Sequence, residues 1–147
     1  MILTLIIVFM GRTTPMNDFP GFVIAEADGK VLSISAPSDL PPEARLDTTL
    51  SKAHFKTMVY FQAGKFHESG RIDFPGTDSY LIVETTEPGT AADAPDGRTT
   101  SSMTWHIASG GGKFKGAQGQ ITGNSQGTAD GRFTDHQVYK IVLQGRS

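Results

Sequence analysis

GGGKFKGAQGQITG, Gly110–Gly123, holds six glycines in fourteen residues and no apolar stripe at helical spacing. A glycine-rich stretch of this kind can supply positive φ at a turn or bulge, or give room where a barrel wall curves. It can also cradle a phosphate, but that use needs a strand before it and a helix after it. Here SSMTWHIAS (Ser101–Ser109) reads as a strand, Lys113–Gly123 alternates like another, and no helix pattern follows. GAQGQ also lacks the Lys-Ser/Thr pair of a phosphate loop. The glycines are therefore read as geometry: a turn at Gly110–Gly112, with Gly116, Gly119 and Gly123 letting a strand bend.

Working outward, the chain reads as short strands punctuated by turn residues. Phe22–Ala27 and Val31–Ala36 flank Asp28-Gly29, a hairpin signal. His54–Gln62 is strand-like, Ala63-Gly64 turns into Lys65–Phe74, and Pro75-Gly76 turns again into Ser79–Thr85. Glu87–Arg98, rich in Pro, Gly, Ala and Asp, reads as a long exposed hairpin loop able to act as a lid. Asp130-Gly131 is a further turn before the last strand, Gln137–Gln144. In that strand Tyr139, Ile141 and Leu143 are set against Gln137, Lys140 and Gln144. The prolines of Ala36–Lys52 forbid a long helix and leave at most one short turn over Pro42–Leu46. The apolar N-terminus, MILTLIIVFM, is too short to span a bilayer as a helix and lacks a basic flank. Ile2–Phe9 reads as a buried β-strand, with an uncleaved targeting segment as the alternative. The total is about eight strands in hairpin order, which must close into a barrel or fold into a sandwich to protect their edges.

Composition narrows the function classes. The 147 residues suit a single domain, 1–147, and 37% hydrophobic content supports a core. A formal net charge of −2 gives no electrostatic case for nucleic acid. Cysteine is absent, which excludes disulfides and thiolate chemistry and fits a cytoplasmic location. None of the four histidines, His54, His67, His106 and His136, forms a His-x-His pair, and no G-x-S-x-G elbow occurs, so neither a metal site nor a serine hydrolase is expected.

GGGKFKGAQGQ (Gly110–Gln120), set between the apolar strand Met103–Ile107 and the final aromatic-bearing strand Val138–Gly145, resembles the glycine-rich signature of the allene oxide cyclase and dirigent barrels. The resemblance covers about the last 45 residues. It implies an all-β, eight-stranded antiparallel barrel with an apolar lumen. It also implies a cofactor-independent cyclase or isomerase, and homodimers or homotrimers. The substrate would be an apolar small molecule, polyketide- or fatty-acid-derived, held folded in the lumen. No membrane partner and no cofactor are expected.

Strand alternation nominates the lumen residues. Glu68 shares a face with Phe66, Gly70 and Ile72. Desolvation there would raise its pKa and suit it to general acid–base work, whereas pairing with Arg71 at the rim would make it structural. Tyr139, with Ile141, can donate a hydrogen bond to a carbonyl or enolate, or simply fill the barrel. Trp105 and Met103 share a face that either lines a cavity or plugs the core. Tyr60, Tyr80 and Glu26 are further candidate ligand contacts. A carrier barrel without chemistry, or a filled barrel serving as a scaffold, are the competing readings.

Overall fold

The computed structural model describes residues 2–36 and 50–143. The expected turn at Pro42–Leu46 and the chain beyond Leu143 lie outside the described residues. Apart from a 3-10 turn at Gly112–Phe114, the described residues form strands and their connections. No helix among them is long and apolar enough to cross a membrane.

The strands are β1 (Ile2–Pro15), β2 (Phe22–Ser35), β3 (Lys52–Gln62), β4 (Lys65–Asp73), β5 (Tyr80–Thr85), β6 (Gly89–Asp93), β7 (Thr99–Gly111), β8 (Gln118–Gly127) and β9 (Arg132–Val142). All neighbouring pairs are antiparallel, in the order β3-β2-β1-β9-β8-β7-β5-β4, and the β3–β4 pairing closes the ring. Short β6 pairs with both β4 and β7, so β5 and β6 share one position in the wall. The result is a closed eight-stranded antiparallel β-barrel, which leaves no long unpaired edge.

The inward rows are mainly apolar, with Thr57, Glu68, Asp135 and Gln137 as polar exceptions. β1 sends in Leu3, Leu5, Ile7 and Phe9, and β9 sends in Tyr139 and Ile141. Burying each such side chain contributes about 1.5–3 kcal/mol. One end of the barrel is packed shut by Leu3, Leu81, Ile121 and Ile141, with Phe74 against Phe114 at a centroid separation of 5.1 Å. The Gly112–Phe114 turn exists to deliver Phe114 into that plug. The other end gathers the C-terminal ends of β1, β3 and β8 with the N-terminal ends of β2, β4, β7 and β9, and it stays open.

The turns at Ala63-Gly64 and Pro75-Gly76 form as the sequence indicates. Ala63 (φ 53°) and Gly64 (φ 77°) are both left-handed, and Gly76 (φ 83°) closes a turn in which Thr77 N–H donates to Phe74 C=O at 3.1 Å. Asp130-Gly131 turns the chain between β8 and β9.

Four expectations are corrected. Asp28-Gly29 is no hairpin: β2 runs straight through it. Gly29 is needed for space, because a Cβ there would lie 2.6 Å from the Phe9 ring. Glu87–Arg98 is not a free loop, since β6 lies within it and Gly89 packs under the Phe66 ring. Lys113–Gly123 is not one strand, because the 3-10 turn occupies its start and β8 begins at Gln118. Finally, β1 continues to Pro15, and its outer residues Ile2, Ile6 and Met10 are exposed, so the N-terminal run is buried on one face only.

Candidate functional site

The open end of the barrel leads into a cavity of about 220 Å³. Its wall is built by alternation. Val23 and Ala25 come from β2, Phe55 and Val59 from β3, Phe66 and Glu68 from β4, Met103 from β7, and Phe133 and Asp135 from β9. Hydroxyls ring the mouth: Thr13, Thr99, Ser101, Ser125 and Thr128, with the Ser101 and Ser125 side chains hydrogen-bonded to each other. Arg132 stands at the rim and is held by Asp130 at 2.7 Å. A polar rim over an apolar interior with a few converging polar groups is the usual build of a small-molecule site. Gly123 gives the cavity its width on β8, because a Cβ there would meet Met103 Cε at 2.4 Å and Asp135 Oδ1 at 3.1 Å.

Glu68 lies within this interior, 9% exposed. Thr57 Oγ1 donates to its Oε2 at 2.5 Å, and Trp105 Nε1 donates to its Oε1 at 3.1 Å. Burial pushes the carboxyl up from about 4.5 to about 7. The two donors pull the other way, and the nearby charge of Asp135 adds to the rise. A carboxyl with its pKa near neutrality can both take and return a proton at working pH.

Asp135 is the second lumen carboxyl, 6% exposed. It heads a row of inward residues two apart on β9. Tyr139 Oη donates to Gln137 Oε1 at 2.5 Å, and Gln137 Nε2 donates to Asp135 Oδ2 at 2.9 Å. Burial raises the Asp135 carboxyl, while the Gln137 bond and His136 oppose the rise. Burial also holds the Tyr139 phenol well above its ordinary value near 10. Asp135 Oδ1 has no hydrogen-bond partner among the described residues.

The structure sorts the residues nominated from sequence. Phe66, Glu68 and Met103 line the cavity. Trp105, 1% exposed, sits behind the wall and touches the site through its bond to Glu68 and its edge-on contact with Phe55. Tyr139 and Ile141 point inward but belong to the packed interior rather than the cavity wall, and the Tyr139 hydroxyl is committed to Gln137. Three nominations are corrected, because their strands turn the opposite parity inward. Glu26 is outside, with its Oε1 3.1 Å from His54 Nε2. Tyr60 stacks on Phe22 at 4.6 Å on the outer face. Tyr80 lies under the Arg71 guanidinium at 3.9 Å. Arg71 also pairs with Asp73, so it is not the partner of Glu68.

Thr57, Asp135 and Gln137 are the residues that reading the sequence missed. Gln137 was set on the polar side, yet it is fully buried. The signal lay in parity: extending the last strand back to the Asp130-Gly131 turn puts Asp135 and Gln137 in step with Tyr139 and Ile141. No cluster of three or more His, Asp or Glu side chains able to hold a metal ion occurs among the described residues. Comparison of the chain with protein-family models, with curated proteins and with solved structures gives no match.

Proposed function

We propose that the barrel is a cofactor-independent isomerase or cyclase for a small apolar molecule, with Glu68 as the group that moves the proton. The observation that carries this reading is the placement of Glu68. It is a desolvated carboxyl in the wall of an open, mainly apolar cavity, and it titrates near 7. As carboxylate it would take a proton from a carbon beside a carbonyl, and as the acid it would return that proton elsewhere on the same molecule. The cavity wall would hold the reacting atoms together. The eight-stranded barrel supports the reading, being the architecture implied by the likeness of Gly110–Gln120 to the allene oxide cyclase barrels. The volume favours a compact substrate: about 220 Å³ is below the roughly 300–1,000 Å³ typical of ligand pockets, so a long acyl chain would not lie wholly inside. A cytoplasmic location and assembly into dimers or trimers belong to the same proposal.

A carrier without chemistry is the second reading, and one observation favours it. Both Glu68 oxygens already accept a hydrogen bond, from Thr57 and from Trp105, which is also how a purely structural carboxyl is held. Deuterium exchange separates the two. Small enolisable ketones such as cyclohexanone are incubated in D2O and followed by NMR. Proton transfer predicts exchange beside the carbonyl that falls about 10²–10⁴-fold in Glu68→Gln. Equal exchange in wild type and variant removes Glu68 from the chemistry. Saturable quenching of Trp105 by a ketone recovered without deuterium identifies a carrier, and the absence of binding leaves a scaffold.

A further inference from the structure

We propose that Asp135 is a second ligand-contacting carboxyl, whose Oδ1 accepts a hydrogen bond from an O–H or N–H group on the molecule bound in the lumen. This deepens the reading above by naming the substrate class: a compact apolar body carrying one donor group. The inference rests on the cavity described there but not on Glu68 chemistry.

The geometry of Asp135 is asymmetric. Oδ2 is fixed from behind by Gln137 Nε2 at 2.9 Å, and Gln137 is fixed in turn by the Tyr139 hydroxyl at 2.5 Å. This row orients the carboxyl and leaves Oδ1 without a partner among the described residues, although the side chain is 94% buried and lines the cavity. Leaving a buried acceptor unpaired is costly, so a ligand donor that reaches it is favoured beyond its apolar contacts. Arg132, the cation at the rim, is engaged by Asp130, and the Trp105 and Thr57 donors are spent on Glu68. Gly123 completes the arrangement. With no Cβ, it leaves open the side of β8 that faces Oδ1, and a methyl group there would come within 3.1 Å of that oxygen.

The row also dictates what an isosteric change must do. In Asp135→Asn the amide oxygen keeps the bond from Gln137 Nε2, so the amide N–H2 takes the place of Oδ1. The cavity then presents a donor instead of an acceptor.

The test uses three unreactive probes of one shape: cyclohexanol, cyclohexylamine and methoxycyclohexane, which only accepts. Binding is measured by calorimetry on the wild-type chain at about pH 9, which favours the ionised form of a raised carboxyl. Cyclohexanol and cyclohexylamine are expected to bind about tenfold or more tighter than methoxycyclohexane. An advantage for the amine alone identifies an ammonium ligand, and one shared with the alcohol identifies any donor. Asp135→Asn is expected to reverse the preference between cyclohexylamine, which only donates as its ammonium, and methoxycyclohexane, and to erase the advantage of cyclohexanol, whose hydroxyl can also accept, whereas a merely structural role would weaken all three probes alike. In wild type labelled with ¹³C-aspartate, a carboxyl resonance should move with cyclohexanol and stay still with methoxycyclohexane, which tests the contact without any variant. Equal affinity for all three probes, with no resonance shift, overturns the proposal. That result leaves Glu68-dependent deuterium exchange untouched, so the two readings fail separately.

Discussion

The indole N–H of Trp105 donates to Glu68 Oε1 at 3.1 Å, across the barrel interior from β7 to β4. The single tryptophan of the chain is thus wired to a carboxyl that titrates near neutrality. Its emission should follow the ionisation of Glu68, with a midpoint near pH 7. Glu68→Gln should abolish that titration. Trp105→Phe keeps the ring packing but removes a donor that lowers the carboxyl's pKa, so the Glu68 titration, followed by ¹³C NMR of labelled glutamate, should move upward. A Glu68 titration unchanged by Trp105→Phe would show that the bond has no energetic weight.

Stability should fall as the pH rises from about 4.5 to about 7. A carboxyl whose pKa is higher folded than unfolded binds its proton more tightly in the folded state. The stabilisation is therefore full below about 4.5 and is lost by the time the pH passes about 7. For Glu68 the difference corresponds to about 3 kcal/mol. Asp135 acts in the same direction. Denaturant melts at a series of pH values should show the decline in wild type and a shallower one in Glu68→Gln.

Gly29 should tolerate no side chain. Its Cβ would press on the Phe9 ring, so Gly29→Ala should cost about 1–3 kcal/mol by overpacking. Phe9→Leu should recover part of that loss in the double variant, as a direct clash requires. If Gly29 served a turn instead, the second change would bring no recovery.

Tyr139→Phe should destabilise by about 1–3 kcal/mol, because it strands the fully buried Gln137 Oε1 without its donor. Its effect on ligand affinity should come through Asp135, since the phenol does not reach the cavity. A Tyr139→Phe protein as stable as wild type would mean that Gln137 is satisfied some other way.

Much of the barrel was legible in the sequence. The closed all-β barrel, the Ala63-Gly64 and Pro75-Gly76 turns, and Glu68 among Phe66, Gly70 and Ile72 were expected from turn chemistry, alternation and the need to protect strand edges, although the individual strands were divided differently. What was hidden has physical causes. Apolar residues also cover the outer wall, with Ile2, Ile6, Met10, Met58, Val138 and Val142 exposed, so period two alone does not say which face is inner. That ambiguity sent Glu26, Tyr60 and Tyr80 to the wrong side; Gln137 is a different case, a polar side chain in step with Tyr139 and Ile141 that is buried all the same. Asp28-Gly29 has turn chemistry, but its glycine answers a ring on the neighbouring strand, a contact between residues twenty apart in the chain. Tertiary packing of that kind leaves no local trace. The glycines of Gly110–Gly123 divide between both uses: Gly112 and Gly116 have positive φ, while Gly123 clears space beside Asp135.

Because Phe74 and Phe114 stopper one end of the barrel, the lumen is a flask and not a pipe. Whatever occupies it must leave by the route it took in, so a departing molecule and an arriving one contend for the same neck. Exchange is then strictly sequential, and under the proposed isomerase reading accumulated product would act as a competitor of fresh substrate. Residues at the neck, Thr13, Ser101, Ser125 and Arg132, would then set how fast occupants exchange, and the chamber below how tightly they are kept.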